Sequence, residues 1–243
     1  RLVAFVSSVP AAGSEIYLYN IESDTLTRVT SNRVDDTAPR VQDGAPWSDG
    51  LLVWQRWDGR DWEIYYLKLG APAPVQVTNN SYDDVAPSVG AGWIVWEGWA
   101  DGVSDIFAHN PYERRGSRQI TRDAALDWAP RVEAGKLVWL KSAGAEATDV
   151  FTFDLRFLVG AQLTGASSPR SSPELDLWRV AWSEGRVAAP IDQTAAGSAT
   201  DGSGEPGGSE GRRVVLQSLM GGEASVPSEG YPMSEAPRLD GAT

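Results

Sequence analysis

Carboxylates recur in this sequence at one fixed position, three residues before a proline. Asp36, Asp84 and Asp127 occupy it, and Asp35 and Asp83 add a second carboxylate in two of the copies. Oxygen ligands of this kind suit a hard cation such as Ca²⁺, so the first three aspartates are candidate metal ligands. A position repeated by an architecture usually serves that architecture, and we therefore expect their carboxylates to accept backbone N–H groups in turns.

A second set of residues, tryptophans beside carboxylates, has the chemistry of a binding site. Four tryptophans follow no repeat, and three of them flank two turns that each contain Asp-Gly. Flat aromatic rings next to acidic groups suit the face and hydroxyls of a sugar, or a basic peptide. The alternative is that these tryptophans only cover loop ends. The predicted ligand-binding residues are Trp57, Trp62, Trp99, Trp128, Asp58, Asp61 and Asp101.

The sequence offers less for catalysis. The single histidine, His109, stands at the end of an apolar run, and no Gly-x-Ser-x-Gly motif accompanies it. Glycoside hydrolysis needs two carboxylates in different environments, whereas equivalent repeat positions give similar ones. Glu174 departs from the repeat, and we interpret it as half of an ion pair on the surface or between repeats. We predict no catalytic residue.

A repeat along the whole chain must position these side chains. Five short apolar runs end in an aromatic residue, at intervals of 42 to 49 residues. β-Branched and aromatic residues alternate with others in these runs, which is typical of strands. The closing aromatics are predicted to fill the space between neighbouring sheets. They are Phe5, Trp54, Trp96, Trp139 and Trp182.

Each repeat contains four candidate strands, which we label A to D. Strand A is opened by Ala-Pro or Ser-Pro, strand B ends in the aromatic, strand C is a second apolar run, and strand D ends in an apolar residue, followed by Thr in four copies. Pro lacks an N–H, so it is expected at the start of its strand. A unit of about 43 residues with four antiparallel strands has the length of a propeller blade. The sequence predicts an all-β fold, a five-bladed β-propeller.

The two ends of the chain predict how the ring closes. Residues 1–5 read as a B strand without its A strand, and residues 235–240 read as an A strand without its B strand. We expect the C-terminal strand to complete the N-terminal blade, which leaves no open sheet edge. Segment 187–211, rich in Ala, Gly, Ser and Thr, is predicted to be a mobile insert. In one domain of residues 1–243, the predicted blades are 1–30 plus 235–243, 37–79, 85–121, 128–164 and 172–227 with the insert.

Strand direction places the predicted ligand-binding residues together. Because neighbouring strands alternate in direction, the D–A and B–C connections emerge on one side of the sheets and the A–B and C–D connections on the other. The unrepeated tryptophans and most of the acidic residues fall on the first side. We call it the D–A/B–C face.

Composition narrows the class of partner. The net charge is −12 and the sequence pI is about 4.5, which disfavours nucleic acid as a ligand. No run approaches the roughly 18 apolar residues of a transmembrane helix. The chain has no Cys, and it begins at Arg1 without a signal peptide, so we expect a mature or excised portion of a larger protein and a monomeric domain.

Four elements recur in fixed order: Asp-x-Ala-Pro, an Ile-Val-Trp strand, an acidic residue before Ile-Tyr or Ile-Phe, and a closing Leu, Val or Ile before Thr. This combination, from residue 2 to 239 apart from two insertions, resembles the TolB-like propeller repeats of exported bacterial and archaeal proteins. The resemblance implies an extracellular, cell-surface or periplasmic location. We expect a non-enzymatic binding or scaffolding module for a partner protein or glycan, with no cofactor unless Ca²⁺ is bound. The alternatives are a five-bladed glycan-active enzyme and a structural spacer.

Overall fold

The computed structural model describes residues 1–9, 13–44, 49–144, 147–165, 170–176, 179–184 and 213–219. These residues form eighteen β-strands in five antiparallel sheets and contain no helix. Accordingly, none of this part of the chain forms a helix long and apolar enough to cross a membrane. The predicted closing strand 235–240, the insert 187–211 and the last D strand lie outside the described residues.

The strands follow one another sheet by sheet. The first sheet contains β1 (Leu2–Val9), β2 (Gly13–Asn20) and β3 (Thr25–Arg28). The second contains β4 (Asp36–Gln42), β5 (Leu51–Trp57), β6 (Trp62–Lys68) and β7 (Val75–Gln76). The third contains β8 (Asp83–Gly90), β9 (Trp93–Ala100), β10 (Val103–His109) and β11 (Arg118–Gln119). The fourth contains β12 (Asp127–Glu133), β13 (Lys136–Ser142), β14 (Thr148–Asp154) and β15 (Val159–Gln162). The fifth contains β16 (Arg170–Asp176), β17 (Arg179–Glu184) and β18 (Arg213–Ser218).

Within the second, third and fourth sheets the strands pair in the order A, B, C, D. Every pairing is antiparallel, as predicted from the four-strand repeat. The D strands are short, and the hydroxyl of the threonine that follows each of them accepts a backbone N–H of strand C. For example, the Thr78 hydroxyl accepts the backbone N–H of Ile64 at 2.8 Å, and the Thr121 hydroxyl accepts that of Ile106 at 2.9 Å.

The A strands depart from the prediction. They begin at Asp36, Asp83 and Asp127, so their prolines lie inside the strand rather than at its start. The register shifts at each Ala-Pro, as it does between Thr37 and Arg40. A bulge accommodates Pro because the extra residue leaves no ladder hydrogen bond to be made. The alanines of the three bulges have φ near 50°, in the left-handed region.

The core consists of the repeated aromatic residues and their aliphatic neighbours. Trp54, Trp96, Trp139 and Trp182 are between 0% and 5% exposed, which confirms their predicted position. One cluster joins Val95 and Ile106 of the third sheet to Leu137 and Trp139 of the fourth, so the sheets pack face to face. Phe5 differs, at 39% exposed, in the sheet whose B strand β1 has no A strand beside it among the described residues.

Candidate functional site

The repeated aspartates bind the core tryptophans. Asp36 Oδ1 accepts the indole N–H of Trp54 at 2.6 Å, and Asp84 Oδ1 accepts that of Trp96 at 2.7 Å. Asp127 makes the same bond to Trp139 in the fourth sheet, also at 2.7 Å. The predicted backbone N–H partners are therefore wrong for these oxygens. They receive side-chain donors because the strand pairing sets each aspartate beside the B strand, two residues beyond its tryptophan.

The three aspartates differ in their second partner. Asp36 forms an ion pair with Arg56 at 2.7 Å, and Asp127 forms one with Lys141 at 3.2 Å. Asp84 has no such pair among the described residues, because the residue at the equivalent position is Gly98. A Cβ there would lie 2.6 Å from the Phe107 ring, so the packing of that ring requires glycine.

Burial consequently changes the protonation of Asp84. Desolvation raises the pKa of its carboxyl to about 7, although hydrogen bonds from Trp96 and Asn80 oppose the shift. Burial also raises the pKa of Asp127, where the indole and Lys141 oppose it. Both oxygens of Asp84 accept hydrogen bonds from protein donors, so coordination of a cation by this carboxylate would have to displace them.

Asp35 and Asp83, which precede two of the repeated aspartates, link D–A connections to B–C hairpins by hydrogen bonds. Asp35 Oδ1 accepts the backbone N–H of Ser14 at 2.8 Å, and Asp83 Oδ1 accepts that of Trp62 at 3.0 Å. The Asp35 carbonyl also accepts the N–H of Trp57 at 2.8 Å. Each D–A connection therefore contacts a B–C hairpin end, which confirms that these connections share one face.

Trp57 and Trp62 form a pair on that face. They lie opposite each other at the ends of β5 and β6. Their ring centroids are 5.6 Å apart, and the rings meet edge to face at 64°. Both side chains are partly exposed. The hairpin between them folds around Asp58, whose Oδ1 accepts the N–H groups of Arg60 at 2.8 Å and Asp61 at 3.1 Å.

The two acidic residues of this hairpin differ in environment. Asp58 is exposed, and the backbone N–H groups of Asp61 and Arg60 lower its pKa. Asp61 is only 6% exposed; burial, followed by the charge of Asp58, raises its pKa. Both were predicted as ligand-binding residues, and the structure buries Asp61 while it leaves Asp58 exposed.

Trp99 lies in the third sheet, apart from the Trp57 pair. It is 37% exposed, and its indole N–H donates to Glu97 Oε2 at 3.1 Å. Asp101 and Gly102 form the adjacent two-residue turn with φ of 52° and 78°. The position of Trp57 and Trp99 after two core tryptophans of adjacent sheets also suggested that they could form a paired platform, which stays a prediction; their rings make no contact with each other in the described part of the chain. Trp57 pairs with Trp62 instead, because the two are direct cross-strand partners.

Trp128, predicted to lie at the D–A connection, is the second residue of strand β12 and packs in the core. It is partly buried and packs against the cluster that includes Leu140 and Trp182. Its ring therefore contributes to the contact between the fourth and fifth sheets.

Sequence reasoning missed Glu97. One of its oxygens accepts the Trp99 indole and the other accepts the backbone N–H of Ala129 in the next sheet at 2.8 Å. Gln55 makes the same link one sheet earlier, to the N–H of Ala86 at 2.9 Å. The signal was the polar residue directly after the core tryptophan in both copies.

The other polar residues considered, His109, Glu174 and Arg170, make packing contacts, ion pairs or hydrogen bonds within the fold. His109 is half-buried, burial lowers its pKa, and its ring lies 6.2 Å from that of Tyr66. Glu174 pairs with Arg131 at 3.8 Å, which confirms the predicted ion pair between repeats. At the fifth copy of the aspartate position stands Arg170, which is buried and donates to the carbonyl of Thr148 at 2.6 Å.

No family model matches the chain, and no curated protein matches it by sequence. Solved structures match its fold. TolB from Acinetobacter baumannii has a TM-score of 0.61 at 16% identity, over 94% of this chain and 52% of TolB. The chain has a TolB-like β-propeller fold. It spans about half of the length of TolB.

Propellers of other kinds match as well. A chain of the nidogen/laminin complex has a TM-score of 0.53 at 9% identity, over 93% of this chain and 78% of that one. Oligogalacturonate lyase in complex with manganese has a TM-score of 0.61 at 10% identity, over 93% of this chain and 61% of the lyase. At such identities the likeness concerns the fold alone, and function must come from the residues.

The opposite side of the propeller carries an exposed apolar turn that the sequence analysis did not single out. Phe157, Leu158 and Val159 connect strands C and D of the fourth sheet and are 74%, 55% and 65% exposed. Three consecutive exposed apolar side chains are unusual on a monomer surface. They provide a second exposed hydrophobic surface, distant in topology from the D–A/B–C face.

Proposed function

We propose that this chain is a non-enzymatic binding module of an exported protein, with a ligand surface on the D–A/B–C face. The observation that carries the proposal is the Trp57 and Trp62 pair, which is partly exposed at a hairpin end. Aromatic side chains that stay partly exposed beside carboxylates are the groups that proteins use for sugars and for basic or aromatic peptides. The ligand would be a glycan or a partner protein.

The proposed architecture is a five-bladed ring. The five described sheets support it: the B strand lies between strands A and C in four of them, and at the edge of the first. We infer that residues 235–240 pair with β1 and complete the first blade. Deletion of residues 235–243 should then expose an open edge and cause aggregation or a large loss of unfolding cooperativity. An unchanged thermal unfolding curve of the truncated chain would contradict this closure.

Binding is tested first by screening the full chain on glycan and peptide arrays. For the strongest ligand, Trp57→Ala should abolish binding and cost about 0.5–1.5 kcal/mol of stability, the value of an edge-to-face aromatic pair. Trp54→Ala, a core truncation, should cost about 3–5 kcal/mol. Phe157→Ala is the matched control, since it removes an exposed aromatic ring from the opposite side.

Binding by the two variants distinguishes the D–A/B–C face from the exposed apolar turn as the ligand site. Loss of binding in Trp57→Ala with retention in Phe157→Ala supports the D–A/B–C face. The reverse pattern assigns binding to the apolar turn. If both variants bind as the unmodified chain does, neither surface is the ligand site.

A glycan-active enzyme is the second candidate, for one reason. Hydrolysis requires carboxyl groups with different pKa values, and the pKa of Asp58 is lowered while that of Asp61 is raised. Release of reducing ends from any bound glycan, abolished by Asp61→Asn, would favour the enzyme. Binding without turnover favours the module.

A further inference from the structure

Three carboxylates converge beneath the B–C hairpin of the second sheet. Asp58, Asp61 and Glu63 each bring one oxygen to within 4.8 Å of the others. Asp61 is 6% exposed and Glu63 is 0% exposed, whereas Asp58 is exposed at the hairpin surface. The cluster therefore has a buried floor and one side open to solvent.

The buried carboxylates are incompletely satisfied. Asp61 Oδ1 and Glu63 Oε2 are fully buried and have no hydrogen-bond partner in the described part of the chain. Among the described residues, no Lys or Arg nitrogen lies within ion-pair distance of any of the three carboxylates. Buried carboxylates without a counter-charge are costly, and like charges this close raise the cost further.

The repeat itself does not require this arrangement. Glu15 occupies the position of Glu63 in the first sheet, where Arg28 pairs with its Oε1 at 3.1 Å and its Oε2, like Glu63 Oε2, is buried without a hydrogen-bond partner among the described residues. Gly13 stands there in place of Asp61, so the second sheet differs in lacking the arginine and in adding the unpartnered Asp61 Oδ1. The residue equivalent to Arg28 in the second sheet is the uncharged Gln76. Glu63 Oε1 accepts the backbone N–H of Asn80 at 2.9 Å.

The third sheet shows how the same position is satisfied without a cation. Asp105 replaces the glutamate, and its two oxygens accept the Thr121 hydroxyl and the Gln119 amide, each at 2.9 Å. Val103 replaces Asp61. The shorter acid and the apolar neighbour leave no unpartnered carboxylate oxygen, so the hairpin forms without an acidic cluster.

We propose that Asp58, Asp61 and Glu63 bind a hard divalent cation, Ca²⁺ foremost. The ligand atoms are all carboxylate oxygens, which select Ca²⁺ over softer metals that favour imidazole or thiolate. Ca²⁺ accepts six to eight oxygens in flexible geometry, and water can complete the shell on the open side at Asp58. The ion supplies the positive charge that Arg28 supplies in the first sheet. Coordination by Asp61 and Glu63 would also restrain the backbone on both sides of Trp62, which lies between them in the sequence.

The test uses the full chain after treatment with chelator and desalting. Isothermal titration with CaCl₂ should show one saturable site. At a hundredfold excess of Ca²⁺ over Kd, the Tm should rise by roughly 5–10 °C, because ligand that binds only the folded state stabilises it by mass action.

Asp61→Asn separates a metal ligand from a merely structural residue. Its affinity for Ca²⁺ should fall at least tenfold, and its Tm should no longer respond to Ca²⁺. In chelator, however, its Tm should equal or exceed that of the unmodified chain, because a buried unpaired charge has been removed. Glu63→Gln should behave in the same way. Asp101→Asn, in the equivalent hairpin of the third sheet, should keep the full Ca²⁺ response.

Three results would overturn the proposal. The first is an unmodified chain that shows no saturable Ca²⁺ binding. The second is undiminished binding by both Asp61→Asn and Glu63→Gln, which would place the ion elsewhere, for example at Asp36, Asp84 or Asp127. The third is a weak response of equal size in every variant, which would reflect general screening of the net charge of −12.

Discussion

Asp84→Asn should gain stability relative to the unmodified chain as the pH rises from 5 to 8. The carboxyl of Asp84 is 1% exposed, and its pKa is raised from 3.8 to about 7 by burial. Between these two values the folded state keeps a proton that the unfolded state has lost. By linkage, raising the pH through this interval therefore lowers the free energy of unfolding.

The size of the effect follows from the shift. One pKa unit corresponds to about 1.36 kcal/mol, so the interval from about pH 5 to pH 7 is worth roughly 2.7 kcal/mol. Asparagine keeps the shape of the side chain and cannot ionise. The difference in unfolding free energy between Asp84→Asn and the unmodified chain should therefore grow by about this amount from pH 5 to pH 8.

Urea unfolding followed by Trp fluorescence measures this difference, from pH 5 upward to stay above the pI of about 4.5. Asp36→Asn is the matched control, since the same motif there contains an ion pair with Arg56 at 2.7 Å. It should destabilise by roughly 1.5–3 kcal/mol, because the guanidinium loses its charged partner. A difference for Asp84→Asn that stays constant from pH 5 to pH 8, or a loss as large as that of Asp36→Asn, would refute the reasoning.

Two further predictions concern contacts between neighbouring sheets. Glu97→Gln should change the free energy of unfolding little, whereas Glu97→Leu should cost about 1–3 kcal/mol because the N–H of Ala129 loses its acceptor; equal effects in chemical denaturation would contradict the assigned bond. Gly90→Ala should cost about 3 kcal/mol or more, since its Cβ would lie 2.1 Å from the Val132 carbonyl oxygen. Gly116→Ala, with open space around it, should be neutral in the same thermal unfolding assay.

The strands were predictable because the pattern that specifies them repeats. Alternating apolar residues and a closing aromatic recur at each B strand, and four of the five aromatics are buried as expected. The bulge at Ala-Pro was not predicted, since sequence alone does not distinguish a proline that opens a strand from one that sits at a register shift. That bulge decides where Asp36 and Asp84 point, so their indole partners were missed as well.

The sequence predicted the face on which the candidate site lies, but not the contacts between its side chains. Antiparallel alternation alone brings the D–A and B–C connections together, and it needs no knowledge of side chains. Trp57 meets Trp62 because the register of β5 and β6 sets them opposite each other, whereas Trp99 belongs to the next sheet; the sequence left open both this register and the packing of the sheets. The burial of Asp61 likewise depends on how tightly the hairpin closes over Glu63, a tertiary property with no local signal.

Comparison of the second and third sheets shows which residues of the B–C hairpin the fold does not require. Both hairpins form, yet Val103 and Ser104 stand in the third sheet where Asp61 and Trp62 stand in the second. Asp61 and Trp62 are thus dispensable for the hairpin, and the buried, unpartnered Oδ1 of Asp61 is unfavourable for stability. A costly arrangement that the architecture can do without points to a ligand, and both proposals therefore concern the same hairpin of the second sheet.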